Sequence, residues 1–103
     1  MHLVKKEEEK TSLIKIAEEL IGFLNQKTGR RLPARNPKGA PTANADVVMA
    51  RLREGYTEQD CRSVVMLKVR QWAHDEKMNK YLTPETLFRR SNFERYLGEL
   101  GDE

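Results

Sequence analysis

The sequence predicts an all-α fold, a small single domain of four to five short helices packed around a central helix at about residues 58–74, with no β-sheet. Apolar residues recur at three- and four-residue steps, which places them on one face of a helix. Three helix-start signals also stand close together between Thr57 and Glu94. No stretch alternates apolar and polar positions with β-branched residues, as a half-buried strand requires.

The first helix is predicted to begin at about Thr11 and to end at Gly29, because glycine takes the left-handed cap conformation without a steric penalty. Its apolar face comprises Leu13, Ile16, Ala17, Leu20, Ile21 and Leu24, widened by Phe23. Residues 1–11 are charged and lack this periodicity, so we interpret them as a charged arm or the remnant of a linker. Such a start would suit a fragment of a longer protein.

Residues 30–43 form a Pro-rich basic loop, with three of the four prolines of the chain. The segment 27–53 carries seven Lys or Arg against Asp46 alone. This concentration of charge suits contact with phosphate or with an acidic protein, and a solvated surface loop is the alternative. A loop of this length in a small domain is often functional.

The second helix is predicted from about Asn44 to Arg53, with Gly55 as its stop. Thr57 and Asp60 then form the N-cap box of a third helix from about Glu58 to His74. The apolar residues of the third helix cover most of its circumference, so it is predicted to be the central helix, and they are Cys61, Val64, Val65, Leu67, Val69 and Trp72. We expect Trp72 to be mostly buried.

Lys68 lies among these apolar positions. Its stem is expected to lie along the core while its ammonium reaches solvent, with a binding role as the alternative.

Two further helical segments follow. Thr83 and Pro84 start a short turn, since proline is well tolerated at the first helical position. Ser91, with Glu94 three residues later, is predicted to cap a last helix that ends at Gly101. The inward residues of these segments are expected to be Leu87, Phe88, Phe93, Tyr96, Leu97 and Leu100. Residues 12–101 thus form one helical domain.

Composition excludes several classes of protein. A chain of 103 residues holds one modest core. The single cysteine, Cys61, rules out an internal disulfide and fits a reducing cytoplasm. No apolar run is long enough to span a membrane. The two histidines are far apart and give no metal-ligand spacing, so neither a metal nor a cofactor is expected. Cys61 stands near a helix start, which can lower a thiol pKa, but no base accompanies it. We therefore expect no enzymatic activity.

Four motifs in order carry a resemblance to a known family: LIGFLNQKTGR, ARLREGYTEQD, VVMLKVRQW and KYLTPETLFRRSNFERYL. Over roughly residues 17–98 the chain resembles the C-terminal domain of phage replisome-organiser, or replication-initiation, proteins of low-GC Gram-positive hosts. That domain is similar in role to the C-terminal half of the DnaD and DnaB primosome proteins. The Pro-rich basic loop departs from the family motif.

The resemblance implies a role in phage DNA replication in the cytoplasm of a bacterial host. Full-length members carry an N-terminal winged-helix domain that recognises the phage origin, so origin recognition is not assigned to the present chain. The C-terminal domain is associated with recruitment of the host helicase loader or helicase, with single-stranded DNA, or with self-association. A stand-alone inhibitor that diverts the loader is a further possibility.

The first hypothesis is a protein-interaction module that docks near the joint between the third helix and the TPETLF turn. A small core is not expected to enclose all the apolar residues of Lys80–Arg90, and exposed aromatic surface rimmed by arginine is typical of interfaces. The predicted contact residues are Lys68, Lys77, Lys80, Tyr81, Leu87, Phe88, Arg89 and Arg90. The alternative is that these residues close the fold or form a self-association contact.

The second hypothesis is a nucleic-acid-binding module that holds single-stranded or melted origin DNA through the basic loop. Its predicted contact residues are Arg30, Arg31, Arg35, Lys38, Arg51, Arg53 and Tyr56.

Overall fold

A computed structural model of the chain describes the backbone of residues 2–101 and the side chains of residues 12–101. Its elements are α1 (His2–Thr28), α2 (Ala43–Arg53), α3 (Glu58–Trp72), a 3₁₀ helix (Asn79–Tyr81), α4 (Pro84–Leu87) and α5 (Arg90–Leu100). Between residues 2 and 101 there is no β-strand, and the only strand-like feature is an isolated bridge between Arg35 and Pro41. The predicted all-α fold is confirmed.

Helix α1 is longer than predicted, since it begins at His2 and not at about Thr11. Lys and Glu are good helix formers, so a charged run without apolar periodicity can continue a helix. The side chains before Ser12 lie outside the described part of the chain. The C-terminal end is as predicted: Gly29 has a φ of 72°, and its amide bonds the Asn25 carbonyl at 2.8 Å.

The Pro-rich loop is irregular but fixed by hydrogen bonds. The Asn25 side chain donates to the Leu32 carbonyl and accepts from the Leu32 amide, both at 2.9 Å. The Thr42 hydroxyl donates to the Pro33 carbonyl at 2.8 Å. At the loop tip the Asn36 side chain accepts two backbone amides. These bonds tie the loop back to α1, against which α2 packs.

Helix α3 starts with the predicted capping box. The Asp60 amide donates to Thr57 Oγ1 at 3.0 Å, and the Thr57 amide donates to Asp60 Oδ2 at 2.9 Å. The preceding helix ends before Gly55, whose φ is 102°. Helix α3 packs against α1, α4 and α5, as predicted for the central helix. It ends at Trp72, two residues before the predicted end at His74.

Trp72 is partly buried and packs against the hydrophobic core, in agreement with the expectation of a mostly buried indole. The ring sits at the end of α3, where the chain leaves the core. It packs edge-to-face against Tyr96, with a centroid separation of 5.9 Å and an interplanar angle of 88°.

The last two helices follow each other almost directly. Helix α4 starts at the predicted Thr83-Pro84 pair, and Thr83 Oγ1 accepts the Thr86 amide at 3.4 Å. The predicted Ser91 cap is wrong, because α5 begins at Arg90 with Arg89 at the N-cap and no side-chain cap bond. The Phe93 amide already bonds the Arg89 carbonyl at 2.8 Å, which places Ser91 inside the first turn.

The core encloses more of the α4 region than the sequence suggested. Leu82, Leu87 and Phe88 are at most 1% exposed. Phe88 stacks on Phe93 at a centroid distance of 5.4 Å. Helix α4 has α2, α3 and α5 as neighbours, so one helical turn is covered from several sides. Of the four apolar residues Tyr81, Leu82, Leu87 and Phe88, some of whose surface was expected to stay exposed, only Tyr81 is exposed.

Candidate functional site

Of the predicted partner-binding residues, three form a contiguous exposed segment that we call the Tyr81 surface, consisting of Lys77, Lys80 and Tyr81. Tyr81 is 42% exposed at the end of the 3₁₀ helix. The ammonium of Lys80 lies 5.2 Å from the centroid of its ring. Lys77 is also exposed. The surface therefore presents an aromatic ring with one ammonium beside it and a second exposed lysine four residues earlier in the chain.

The backbone beneath the Tyr81 surface is fixed at both ends. At the start, Asp75 Oδ1 accepts the amides of Lys77 at 2.9 Å and Met78 at 3.1 Å. At the end, the Arg30 guanidinium donates to the carbonyls of Asn79 and Leu82, the latter at 2.7 Å. A side chain on such a segment is presented in one orientation, which lowers the entropy lost on binding.

Arg89 and Arg90 are exposed, but they belong to another part of the surface. They line an open concavity of about 400 Å³ beside the start of α2, with Val47 among its walls. Arg90 lies 3.8 Å from Glu54 and 3.7 Å from Glu94, both exposed ion pairs of small energetic worth. Of the predicted contacts, only the two arginines and the Tyr81 surface are accessible to a partner.

Leu87 and Phe88 are core residues, so their assignment as contact residues is corrected. Both predictions for Lys68 are also wrong. The residue is 3% exposed, so its ammonium does not reach solvent and it is not available as a contact residue. The ammonium lies 3.0 Å from both carboxylate oxygens of Glu99 and 4.0 Å from the Tyr96 ring centroid. These contacts join α3 to α5 and leave Lys68 no free donor face.

The predicted nucleic-acid residues are not assembled into one basic face. Three of the arginines make internal contacts. Arg30 binds the carbonyls under the Tyr81 surface, and Arg35 pairs with Glu18 at 2.9 Å. Arg51 is buried, with contacts to Glu54 at 3.1 Å and to the Phe88 carbonyl at 3.3 Å. The hydrogen bond that Arg35 donates to Glu18 lowers the pKa of the Glu18 carboxyl.

The other members of that set differ from one another. Tyr56 is half-buried and packs edge-to-face on Phe93 at 5.0 Å, so it is not an open stacking platform. Arg31, Lys38 and Arg53 are exposed, and they form no ion pair with another residue in the described part of the chain. The six cations expected to contact phosphate are thus reduced to three.

Cys61 is unsuited to nucleophilic chemistry. Its side chain is fully buried, and burial is the main cause that raises the thiol pKa to about 12. The carboxylates of Asp60 and Glu58 add to the shift. The idea that the helix start lowers this pKa is corrected, because desolvation outweighs the helix dipole here.

Sequence reasoning missed two features of the surface. Asn25 anchors the loop, and no local motif distinguishes it from any polar residue near a helix end. Met66 is 37% exposed on α3, and a helical wheel would have shown it within a polar stripe. Among the residues with described side chains, no cluster of three or more His, Cys, Asp or Glu could hold a metal ion. None of the described helices is both long and apolar enough to cross a membrane.

The fold and surface define a small helical domain that exposes an aromatic turn and scattered cations. The chain belongs to the conserved phage C-terminus family, which it matches over residues 20–98. That range begins in α1, ends in α5 and includes the Tyr81 surface. No curated protein and no solved structure gives a significant match. The resemblance to a phage C-terminal domain is confirmed at this level.

Proposed function

We propose that the domain is a non-enzymatic module of phage DNA replication that binds the host helicase loader or the replicative helicase in the bacterial cytoplasm. Binding would either recruit that protein during initiation or divert it. The replication role is supported by the motif resemblance to replisome-organiser C-terminal domains and by membership of a phage C-terminal family.

The observation that carries a protein-binding role is the exposure of Tyr81 on a fixed turn. Tyrosine is enriched among residues that dominate binding energy, because it buries a large area with few rotatable bonds. Lys80 beside the ring and the exposed Lys77 favour an acidic patch on the partner. Arg30 touches no partner in this proposal and acts as a positioning residue for the turn.

The test is a binding titration of the whole chain with purified helicase loader and, separately, with the helicase. Tyr81→Ala is expected to weaken binding to the partner at least tenfold, which is about 1.4 kcal/mol. Lys80→Glu should also weaken it, mainly through a slower association rate. Lys38→Glu is the matched control, since it makes the same charge change at an exposed lysine in the loop.

Two outcomes would count against the proposal. If the parental chain bound neither protein, the replication-partner role would be lost. If it bound one of them and folded Tyr81→Ala bound equally well, the role would stand but the Tyr81 surface would not be the contact.

A second candidate function is weak binding of single-stranded DNA, favoured by the exposure of Arg31, Lys38 and Arg53. Six phosphate contacts would give a salt slope of roughly −4 in log affinity against log salt, whereas three give roughly −2. We therefore expect a slope near −2, measured by fluorescence anisotropy with a labelled oligonucleotide. Absence of binding at low salt would eliminate this function, and a slope near −4 would show that the engaged arginines also contribute.

A further inference from the structure

A second concave surface lies on the central helix α3, and neither proposed function uses it. We call it the α3 groove. It has a volume of about 300 Å³ and is lined by Gln59, Arg62, Ser63, Met66, Arg70 and Leu100. Five of these residues follow each other along one stripe of α3, and Leu100 closes the groove from the end of α5.

The floor of the α3 groove is apolar at its centre. Met66 is 37% exposed, and it and Tyr81 are the two large hydrophobic residues exposed among the described side chains. Methionine is flexible and polarisable, which suits a surface that receives an apolar side chain of another molecule. Leu100 is partly buried beside it.

The two ends of the α3 groove are basic. Arg62 and Arg70 stand four residues before and four residues after Met66. At about 1.5 Å per residue they are roughly 12 Å apart along the helix axis. The guanidinium of Arg62 is held 3.2 Å from Glu58 and 4.9 Å from the Phe23 ring centroid, so its position is defined. An exposed pair of this kind contributes at most about 1 kcal/mol and can exchange its carboxylate for another.

We infer that the α3 groove binds a helical segment of another protein that places one apolar residue between two carboxylates. The apolar side chain would cover Met66, and one carboxylate would meet each arginine. A carboxylate one helical turn before the anchor and another one turn after it match the spacing of the two arginines. This inference uses different residues from the Tyr81 surface and does not depend on which replication protein is the partner.

A second copy of the chain fits the α3 groove less well. An antiparallel pairing of two α3 helices centred on Met66 would set Arg62 opposite Arg70 of the other copy. Like charges placed in this way oppose association. The charge pattern therefore favours an acidic segment over self-association.

The experiment follows the methionine methyl groups of the full chain by NMR after ¹³C-methyl labelling. The probe is a helical peptide with one Leu, a Glu one turn before it and a Glu one turn after it. Addition should shift the Met66 methyl signal in a saturable manner and leave the buried Met49 signal in place. The same peptide with Lys for both Glu residues should bind at least tenfold more weakly.

Two double variants complete the design. Arg62→Glu with Arg70→Glu should weaken binding of the acidic peptide at least tenfold, whereas Arg31→Glu with Lys38→Glu makes the same charge change elsewhere and should not. The inference is overturned by the absence of a saturable Met66 shift or by equal binding of the Lys peptide. It is also overturned if the Met66 signal moves with protein concentration alone, which would identify a second copy as the occupant. None of these measurements uses a helicase or its loader, so this inference and the proposed function fail separately.

Discussion

The contact between Lys68 and Glu99 provides the sharpest test of the structure, because its two partners differ in burial. Lys68 is 3% exposed, whereas the Glu99 side chain is 37% exposed. The ammonium lies 3.0 Å from both Glu99 oxygens, 2.9 Å from Gln71 Oε1, and 4.9 Å and 4.0 Å from the ring centroids of Trp72 and Tyr96. We expect the two partners to respond unequally to substitution.

Removing the carboxylate leaves a buried cation without its counter-charge. Loss of the counter-charge from a fully buried pair costs about 3–5 kcal/mol, but water reaches the Glu99 side of this one. Gln71 and the two rings also remain as partners of the ammonium. We therefore expect Glu99→Gln to lower the free energy of unfolding by about 2 kcal/mol, in the range of one hydrogen bond to a charged group.

Removing the cation has a smaller expected effect. Lys68→Met keeps an unbranched side chain of similar length against the two rings, and the Glu99 carboxylate left behind is hydrated. Replacing a buried ion by an apolar group of similar volume is often near neutral. The variant also loses the cation–π attraction to the two rings, so we expect the free energy of unfolding to change by no more than about 1 kcal/mol.

The measurement is urea unfolding of both variants and the double variant, followed by circular dichroism and by Trp72 fluorescence. Glu99→Gln should cost little in the Lys68→Met background, since no buried cation is then left unpaired. Equal destabilisation by the two single variants, or a larger effect of Lys68→Met, would show that the ammonium is hydrated and not enclosed.

Three further predictions concern the core and the loop. Phe88→Ala should destabilise the fold by about 3–5 kcal/mol, as measured by denaturant unfolding. A change below about 1 kcal/mol would show that Phe88 is a surface residue and not a core residue. The Cys61 thiol should react with a thiol reagent only after unfolding. Because burial raises its folded pKa from 9.0 to about 12, its contribution to stability is complete below pH 9 and declines as the pH rises toward 12. The pKa of Glu18 is lowered by its hydrogen bond with Arg35, so its contribution is present above pH 4.5 and is lost as the pH falls below that value. Glu18→Gln should remove this pH dependence, which acid titration of stability measures, and because the pair is exposed the effect should stay below about 1 kcal/mol.

Helix starts that depend on neighbouring residues alone could be predicted from the sequence. The capping box of Thr57 and Asp60 closes within three residues. The start of α4 needs only the Thr83 hydroxyl as a cap and a proline at the first helical position. Ser91 and Glu94 show the same spacing, but α5 had already begun. The position of that start depends on how α4 packs, which no local pattern contains.

The exposure of individual side chains was less predictable than the helices. Counting aromatic residues suggested a surplus of apolar surface around α4, yet Phe88 is enclosed and Tyr81 is exposed. The difference arises from the direction in which a short turn faces its neighbours. Lys68 illustrates the same limit, because a buried lysine requires a carboxylate from another helix, and Glu99 is thirty-one residues away.

Arg30 shows why a count of cations overestimated the capacity to bind phosphate. Its guanidinium spans the carbonyls of Asn79 and Leu82, forty-nine and fifty-two residues along the chain. Backbone carbonyls carry partial negative charge, and a planar fork with several donors can bind two of them at once. The fold can therefore occupy the donors of a loop arginine without any acidic residue nearby in the sequence.

This contact makes a prediction that separates a structural role from a phosphate-binding role. Arg30→Ala should lower the free energy of unfolding by about 2 kcal/mol, since hydrogen bonds from a charged donor contribute roughly 1.5–3 kcal/mol and this site is partly exposed. Arg30→Lys should recover only part of that loss, because one ammonium cannot span both carbonyls. Arg31→Ala is the matched control: its side chain is exposed, so denaturant unfolding should find it within about 0.5 kcal/mol of the parent. The structural role would be refuted if Arg30→Ala and Arg31→Ala were equally stable and Arg30→Ala lost more oligonucleotide binding. Arg30 would then be assigned to phosphate binding.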